Sequence, residues 1–384
     1  MYILRASCHF SYHYRKVLTC NCQCYRYWPP RPEGLIDFAF LNETLPYNLY
    51  PITYVLPDGN LFVFANRQSI IYNYKTNEVV KRLPDLVGNP RSYPLTGASV
   101  MLPLDPKNNY NVEILICGGS EKIDRMSNAD DTCARINLGD EEPKWEMDSF
   151  LHPRLMPDAV FLADGSVLFL SGCKKGFAGY QQKNFVPVNW DPTFELQIYD
   201  APKPKGKRWK EHLATTDIAR MYHSVALTLP DGRVWIAGSN NNDPSNVTAE
   251  YPTEFRVEYY SPPYLFQSST RPLISNVPKV FTYAEQYILH LNLNYPLGTH
   301  QPEHPTIKVA LLRPGFSTHS MHMSQRYVVL KYELSDDKQS LTIESPPNAN
   351  IFPPGPATLY VLRDGVPAEG IFVYIAEDEY DVVV

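Results

Sequence analysis

The sequence predicts an all-β chain in two parts, a ring of repeated antiparallel sheets followed by a β-sandwich. Three observations carry that prediction. The composition is turn-rich and aromatic, with 35 prolines, 27 tyrosines and 17 phenylalanines among 384 residues, where average proline usage is about 5%. A hairpin motif recurs four times at intervals near 50 residues. Beyond residue 262 the hairpins give way to short alternating strands with turns roughly every 8–15 residues.

Each repeat is an apolar strand, usually an Asp-Gly turn, and a second apolar strand ending in small residues. The copies read YPITYVLPDGNLFVFAN (50–66), YPLTGASVMLPL with a longer link to VEILICGGS (93–120), MPDAVFLADGSVLFLSG (156–172) and YHSVALTLPDGRVWIAGSN (222–240). Asp58-Gly59, Asp164-Gly165 and Asp231-Gly232 supply the positive-φ residues that tight hairpins require. The second strands begin near Leu61, Ile114, Val167 and Val234, at spacings of 53, 53 and 67, and kelch-type propeller blades repeat at about 50 residues. A lone hairpin cannot bury both faces, so neighbours stack around an axis. The expectation is a kelch-type β-propeller, incomplete on its N-terminal side, whose blade edges invite aggregation unless covered.

After SPPYLF (261–266) come the runs YILHLNL, TIKVALLR, RYVVLKYEL, SLTIESP, ATLYVLRD and GIFVYIA, the pattern of an Ig-like sandwich. The expected division is a leader over 1–26, the propeller over 27–268 and the sandwich over 269–384. The leader holds four of the seven cysteines, Cys8, Cys20, Cys22 and Cys24, and lacks the apolar run of a secretory signal. Cys20, Cys22 and Cys24 with His9 and His13 could be read as a metal site, but C-x-C-x-C is not the C-x₂₋₄-C pair of zinc modules. An unstructured leader, or sequence foreign to the domain behind it, is the expectation.

Charge and cysteines narrow the class. With 35 Lys+Arg against 41 Asp+Glu the net charge is −6, the wrong sign for nucleic-acid binding. No run approaches the roughly 18 apolar residues of a membrane helix. Cys117 and Cys133 bracket a polar loop and can pair in an oxidising compartment. The sequons at Asn42 and Asn246 are compatible with secretion.

Aligning the repeats on their first strand isolates one position. Tyr50-Pro51, Tyr93-Pro94 and Met156-Pro157 open three copies, and Tyr222-His223 opens the fourth. A histidine there either bonds a loop or faces the channel as a ligand. His319 and His322 lie in RPGFSTHSMHMSQR; at i and i+3 of an extended segment they point to opposite faces, so both cannot easily hold one metal. The other histidines of the two domains, His152, His212, His290, His300 and His304, read as linker, loop or packing residues. Tyr222 and His223 can share a ligand only if the backbone is irregular where that strand begins.

ARMYHSVALTLPDGRVWIAGSNNN (219–242) closely resembles the copper-binding blade of the galactose oxidase and glyoxal oxidase family of copper radical oxidases, fungal glyoxal oxidases most of all. GFSTHSMHMSQR (315–326) resembles the loop by which that family's Ig-like (E-set) domain reaches into the propeller channel. LPDGNLFVFANRQSIIYN, YPLTGASVMLPL, ILICGGS and PPNANIFPPGPATLYVL continue the resemblance, which covers about residues 27–384. It implies one Cu(II) held by Tyr222, His223 and His319, with Tyr222 as general base. Imidazoles with oxygen donors suit Cu(II), and a phenolate beside the metal can take a substrate proton. It further implies a secreted, monomeric oxidase acting on small aldehydes or alcohols with O2 to give H2O2. The family's remaining ligand, a tyrosine cross-linked to cysteine, lies in an Arg-Trp-Tyr motif that this sequence does not contain. The reading is therefore of an N-terminally truncated member, keeping about five of the seven blades the resemblance implies, with impaired catalysis. A non-catalytic kelch-type binding module and a fragment without independent function are the alternatives.

Overall fold

The computed structural model describes residues 24–27, 30–180, 187–210, 213–242, 246–267, 270–296, 298 and 302–378. Four blade-like antiparallel sheets follow one another along the chain. The first is built from Ile52–Val55, Leu61–Ala65, Gln68–Asn73 and Glu78–Arg82, paired in that order. The second uses Ala98–Met101, Glu113–Cys117, Thr132–Asn137 and Trp145–Ser149. The third uses Asp158–Phe161, Val167–Leu170, Gln197–Tyr199 and Trp209–Lys210, with the hairpin Cys173–Gly176 and Asn189–Pro192 inserted after its second strand. The fourth has three strands, Ser224–Thr228, Val234–Gly238 and Glu258–Tyr260. Of the about five blades expected, these four are full sheets; the pair Cys24–Tyr25 and Ile36–Asp37 adds only two short strands.

Alternation along the strands cements blade to blade. In the second blade Ile114 and Ile116 join Phe62 and Phe64 of the first in one core, while Leu115 and Cys117 turn the other way to join Ala159 and Phe169 of the third. Cys117 and Cys133 are directly opposed on neighbouring strands and form a disulfide.

The Asp-Gly turns are three-residue loops. Leu56, Leu162 and Leu229 each accept from the glycine three residues on at 2.9 Å and donate to the residue after it at 2.8 Å. Only the glycines take positive φ, at 85°, 84° and 90°, so the expectation of positive φ through the whole Asp-Gly pair is corrected. Each aspartate instead accepts from the backbone two residues on, at 2.9–3.0 Å, the local bonding that makes Asp a turn former.

These turns dock on the sandwich. One of its sheets runs Leu273–Ser275, Gln286–Asn292, Ser340–Glu344, Tyr332–Leu334; the other runs Val280–Phe281, Ile371–Ile375, Gly355–Arg363, Ile307–Arg313, Arg326–Val329. Lys308 donates to Asp164 O at 2.7 Å, Tyr327 to Ala163 O at 3.0 Å and Tyr360 to Leu229 O at 2.7 Å. A hairpin, Phe316–Thr318 with Met321–Met323, leaves this second sheet and packs along the opening strands of the second, third and fourth blades. Gln325 fixes its base, accepting from Phe161 N at 2.8 Å and donating to Ala159 O at 3.0 Å.

A buried arginine stands two residues before three of the strand-opening positions. Arg91, Arg154 and Arg220 are at most 2% exposed. Each reaches a carbonyl at or one residue past the end of its blade's second strand: Gly118 for Arg91, Ser171 for Arg154 at 3.2 Å and Gly238 for Arg220 at 2.8 Å. The guanidinium fork gives these backbone carbonyls a charged donor.

The leader expected over 1–26 does not extend to residue 24. Cys24 and Tyr25 pair with Asp37 and Ile36, and Tyr25, Tyr27, Phe38, Phe40 and Leu41 cover the face of the first blade formed by Leu61, Val63, Ala65, Ile70 and Tyr72. That face is thereby shielded. Cys8, Cys20, Cys22, His9 and His13, like His212 and His300, lie outside the described residues.

Candidate metal centre

At the tip of the sandwich hairpin, His319 meets the openings of three blades. His223 Nε2 and His319 Nε2 are 3.1 Å apart, with their rings nearly perpendicular at 87°. Two backbone anomalies produce this meeting. His223 has φ 64° just before the strand Ser224–Thr228 begins, so it does not face away from Tyr222; the two rings stack at 3.8 Å. The irregularity demanded of this strand is present. His319 and Ser320, at φ 53° and 61°, form the turn that aims the hairpin tip. Left-handed conformations of residues with a Cβ are costly and gather at functional sites.

Each imidazole is held by its other nitrogen. His223 Nδ1 lies 2.9 Å from Asn240 Oδ1, an acceptor only, so Nδ1 carries the proton and Nε2 presents its lone pair toward His319. His319 Nδ1 lies 2.8 Å from the Thr318 hydroxyl. Burial keeps both rings neutral: His223 is lowered below the ordinary imidazole range, and His319 is lowered to about 4 by burial and then by His223.

Tyrosines enclose the pair. Tyr50 stacks on His319 at 4.6 Å and 23°, and Tyr93 meets it edge-on at 5.6 Å. Tyr93 and Tyr222 bring their hydroxyls to 3.4 Å. Tyr222 is raised far above the usual phenol range, first by burial and then by its bond to Tyr93. His322 is buried away from this centre with Nε2 2.5 Å from Pro314 O, so the hairpin presents one histidine and not two.

These side chains fit a copper ion. Two imidazole nitrogens bound at about 2.0–2.1 Å and at right angles lie about 2.9 Å apart, close to the 3.1 Å observed. The space between the two Nε2 atoms calls for a proton or a cation. Among the described residues no cluster of three or more His, Cys, Asp and Glu forms a rival site. Tyr50, Tyr93, Asn240 and Thr318 escaped the sequence reading as site residues. The signal for the first two was there, because they occupy the repeat position aligned with Tyr222.

Comparison with known proteins agrees with this fold. The family described as "Glyoxal oxidase N-terminus" matches residues 19–264, and "Galactose oxidase-like, Early set domain" matches 271–375. The chain belongs to the glyoxal oxidase family. It is 35% identical over 372 residues to "Aldehyde oxidase GLOX1" of Arabidopsis thaliana, covering 90% of this chain and 59% of that protein. "Aldehyde oxidase GLOX" of Vitis pseudoreticulata is 34% identical over 364 residues, covering 91% of this chain and 67% of that protein. The chain thus spans about three-fifths to two-thirds of these relatives. A solved fungal alcohol oxidase of the AA5 family, in complex with copper, shares the fold at TM-score 0.60 and 17% identity, over 86% of this chain and 76% of that one.

Proposed function

We propose that this chain carries the copper site of an oxidase of glyoxal-oxidase type, with His223, His319 and Tyr222 as its protein ligands. The observation that carries the reading is the 3.1 Å approach of two neutral imidazole nitrogens from different domains, inside a ring of tyrosines. The names of the relatives, aldehyde oxidases and a copper-bound alcohol oxidase, favour aldehydes or alcohols as substrates; the proposed reaction takes small ones, with O2 as oxidant and H2O2 as product.

The residues divide the work. Asn240 and Thr318 fix the two imidazoles by their Nδ1 atoms, leaving Nε2 for the metal. The Tyr222 oxygen is the proton acceptor for a substrate hydroxyl; the phenol must first lose its own proton, which burial resists and a bound cation favours. Tyr93, at hydrogen-bond range of that oxygen, steadies it. Tyr50, 41% exposed, forms part of the mouth. When bound, copper supplies one-electron redox chemistry and a Lewis-acidic point for the substrate oxygen.

An alcohol or hydrated aldehyde gives up two electrons, and the family's second redox unit is the cross-linked tyrosine. No Arg-Trp-Tyr occurs in this sequence, and Cys173, the free cysteine among the described residues, is buried with its thiol pushed up to about 12. Oxidase turnover by this chain is accordingly impaired. The Cys117–Cys133 disulfide supports placement in an oxidising compartment. Copper-loaded protein should show an ordinary Cu(II) EPR spectrum, no tyrosyl-radical absorption, and little peroxide from glyoxal in a coupled peroxidase assay. A radical absorption with an EPR-silent oxidised state overturns the impairment. Failure to bind Cu(II) overturns the site.

A further inference from the structure

One buried carboxyl group is used by nothing described so far. Asp158 opens the inner strand of the third blade and is 2% exposed, and no cation lies within ion-pair distance of it among the described residues. Its two oxygens go to different places. Oδ2 accepts from the Ser224 hydroxyl at 3.1 Å, and Oδ1 accepts from the Ser317 hydroxyl at 3.2 Å. Ser224 is the residue after His223, on the fourth blade. Ser317 is two residues before His319, on the sandwich hairpin.

We infer that Asp158 is a positioning residue for the copper site, a carboxyl clamp that sets the separation of His223 and His319 by tying the segments that carry them to one strand. The inference rests on the copper reading above for its chemistry and on the two hydrogen bonds for its geometry. Burying a carboxyl with only two hydroxyl partners is unfavourable, and burial raises this one to about 7. An apolar residue would suit the blade core better, so the carboxyl is not there for stability. The hairpin does not need it to dock, because Gln325 already fixes the base to the same strand at Phe161 N and Ala159 O. What the carboxyl adds is a tie at the end nearest the imidazoles, on both sides of the pair at once. Outer-shell contacts that orient metal ligands typically change metal affinity about 10–100-fold.

The test compares the wild type with Asp158→Ala, Asp158→Asn and Ser317→Ala. Metal-free protein is titrated with Cu(II), EPR spectra are recorded, and metal-free crystal structures are solved. Asp158→Ala and Ser317→Ala should weaken Cu(II) binding by about 10–100-fold and alter the Cu(II) hyperfine pattern, with the metal-free melting temperature little changed. Asp158→Asn, whose amide can still accept from one serine and engage the other, should retain most of the affinity. Unchanged affinity and spectrum in both Asp158→Ala and Ser317→Ala overturn the inference, as does a loss that appears only as a lower melting temperature. Should Asp158→Ala fail to fold, Ser317→Ala decides by the same criteria. Wild type that binds no Cu(II) refutes the copper reading separately. The metal-free structures then decide the clamp: a Nε2–Nε2 distance longer than the wild type's supports it, and an unchanged distance overturns it.

Discussion

Replacing Arg220 with methionine should lower the stability of the blade that carries Tyr222 and His223 by about 3–5 kcal/mol. The guanidinium is 2% exposed and donates to Glu258 Oε2 at 2.8 Å, to Gly238 O at 2.8 Å and to Arg256 O at 2.9 Å. Methionine fills much of the volume but leaves two carbonyls without their charged donor, each such bond worth about 1.5–3 kcal/mol. Glu258 is less exacting: its side chain is 24% exposed and it also accepts from Thr216 at 2.5 Å, so water reaches the carboxylate and holds the total to that range. For a domain of this size each kcal/mol is about 2–4 °C in melting temperature, so the expected fall is about 6–20 °C by calorimetry on metal-free protein. Arg220→Lys keeps a charge near Glu258 but cannot span all three acceptors, and should fall between. A methionine variant melting within about 2 °C of the wild type would refute the claim that these arginines staple the blades.

Three further outcomes are expected. Removing the disulfide by a double Cys117→Ser, Cys133→Ser change, which opens a loop with a sequence separation of 16, should cost about 3 kcal/mol in denaturant unfolding, and reductant should destabilise the wild type more than the double variant. His322 is lowered to about 4 by burial, so the unfolded chain takes up its proton first and the native state loses on the order of 3 kcal/mol as pH falls from about 6.5 to about 4. Urea unfolding across that window should show a smaller loss for His322→Gln; because Asp158, which titrates in the opposite sense, is present in both proteins, it cancels in the comparison. Tyr50→Ala uncovers His319 and should raise its modification by diethyl pyrocarbonate several-fold, read by mass spectrometry, while Tyr50→Phe keeps the stacked ring and should match the wild type.

The fold was legible where the chain repeats itself. Apolar strands around Asp-Gly turns mark the blades because the same local chemistry recurs, and the alternation beyond residue 262 marks the sandwich. The buried arginines were less visible, although Arg91, Arg154 and Arg220 share one offset from the strand openings, because a single-letter pattern does not say which carbonyls they reach. Cys24 and Tyr25 read as leader for a similar reason. The Tyr25 ring packs on Tyr72 and Phe38, which sequence distance separates from it. In the site, the repeat alignment singled out Tyr222 and His223, and family resemblance added His319. Tyr50 and Tyr93 stand at the same aligned position, and the prolines after them drew attention to the wrong half of each pair. Asp158 carries no sequence signal at all, since its meaning comes from two serines on separate domains.

The most direct test of the central claim is the Cu(II) EPR spectrum of metal-reconstituted protein beside that of His319→Ala. Nitrogen superhyperfine structure from two imidazoles in the wild type, reduced to one in the variant, is the expected result, because His223 and His319 approach a common point from different domains. A wild-type spectrum that His319→Ala leaves unchanged would contradict it.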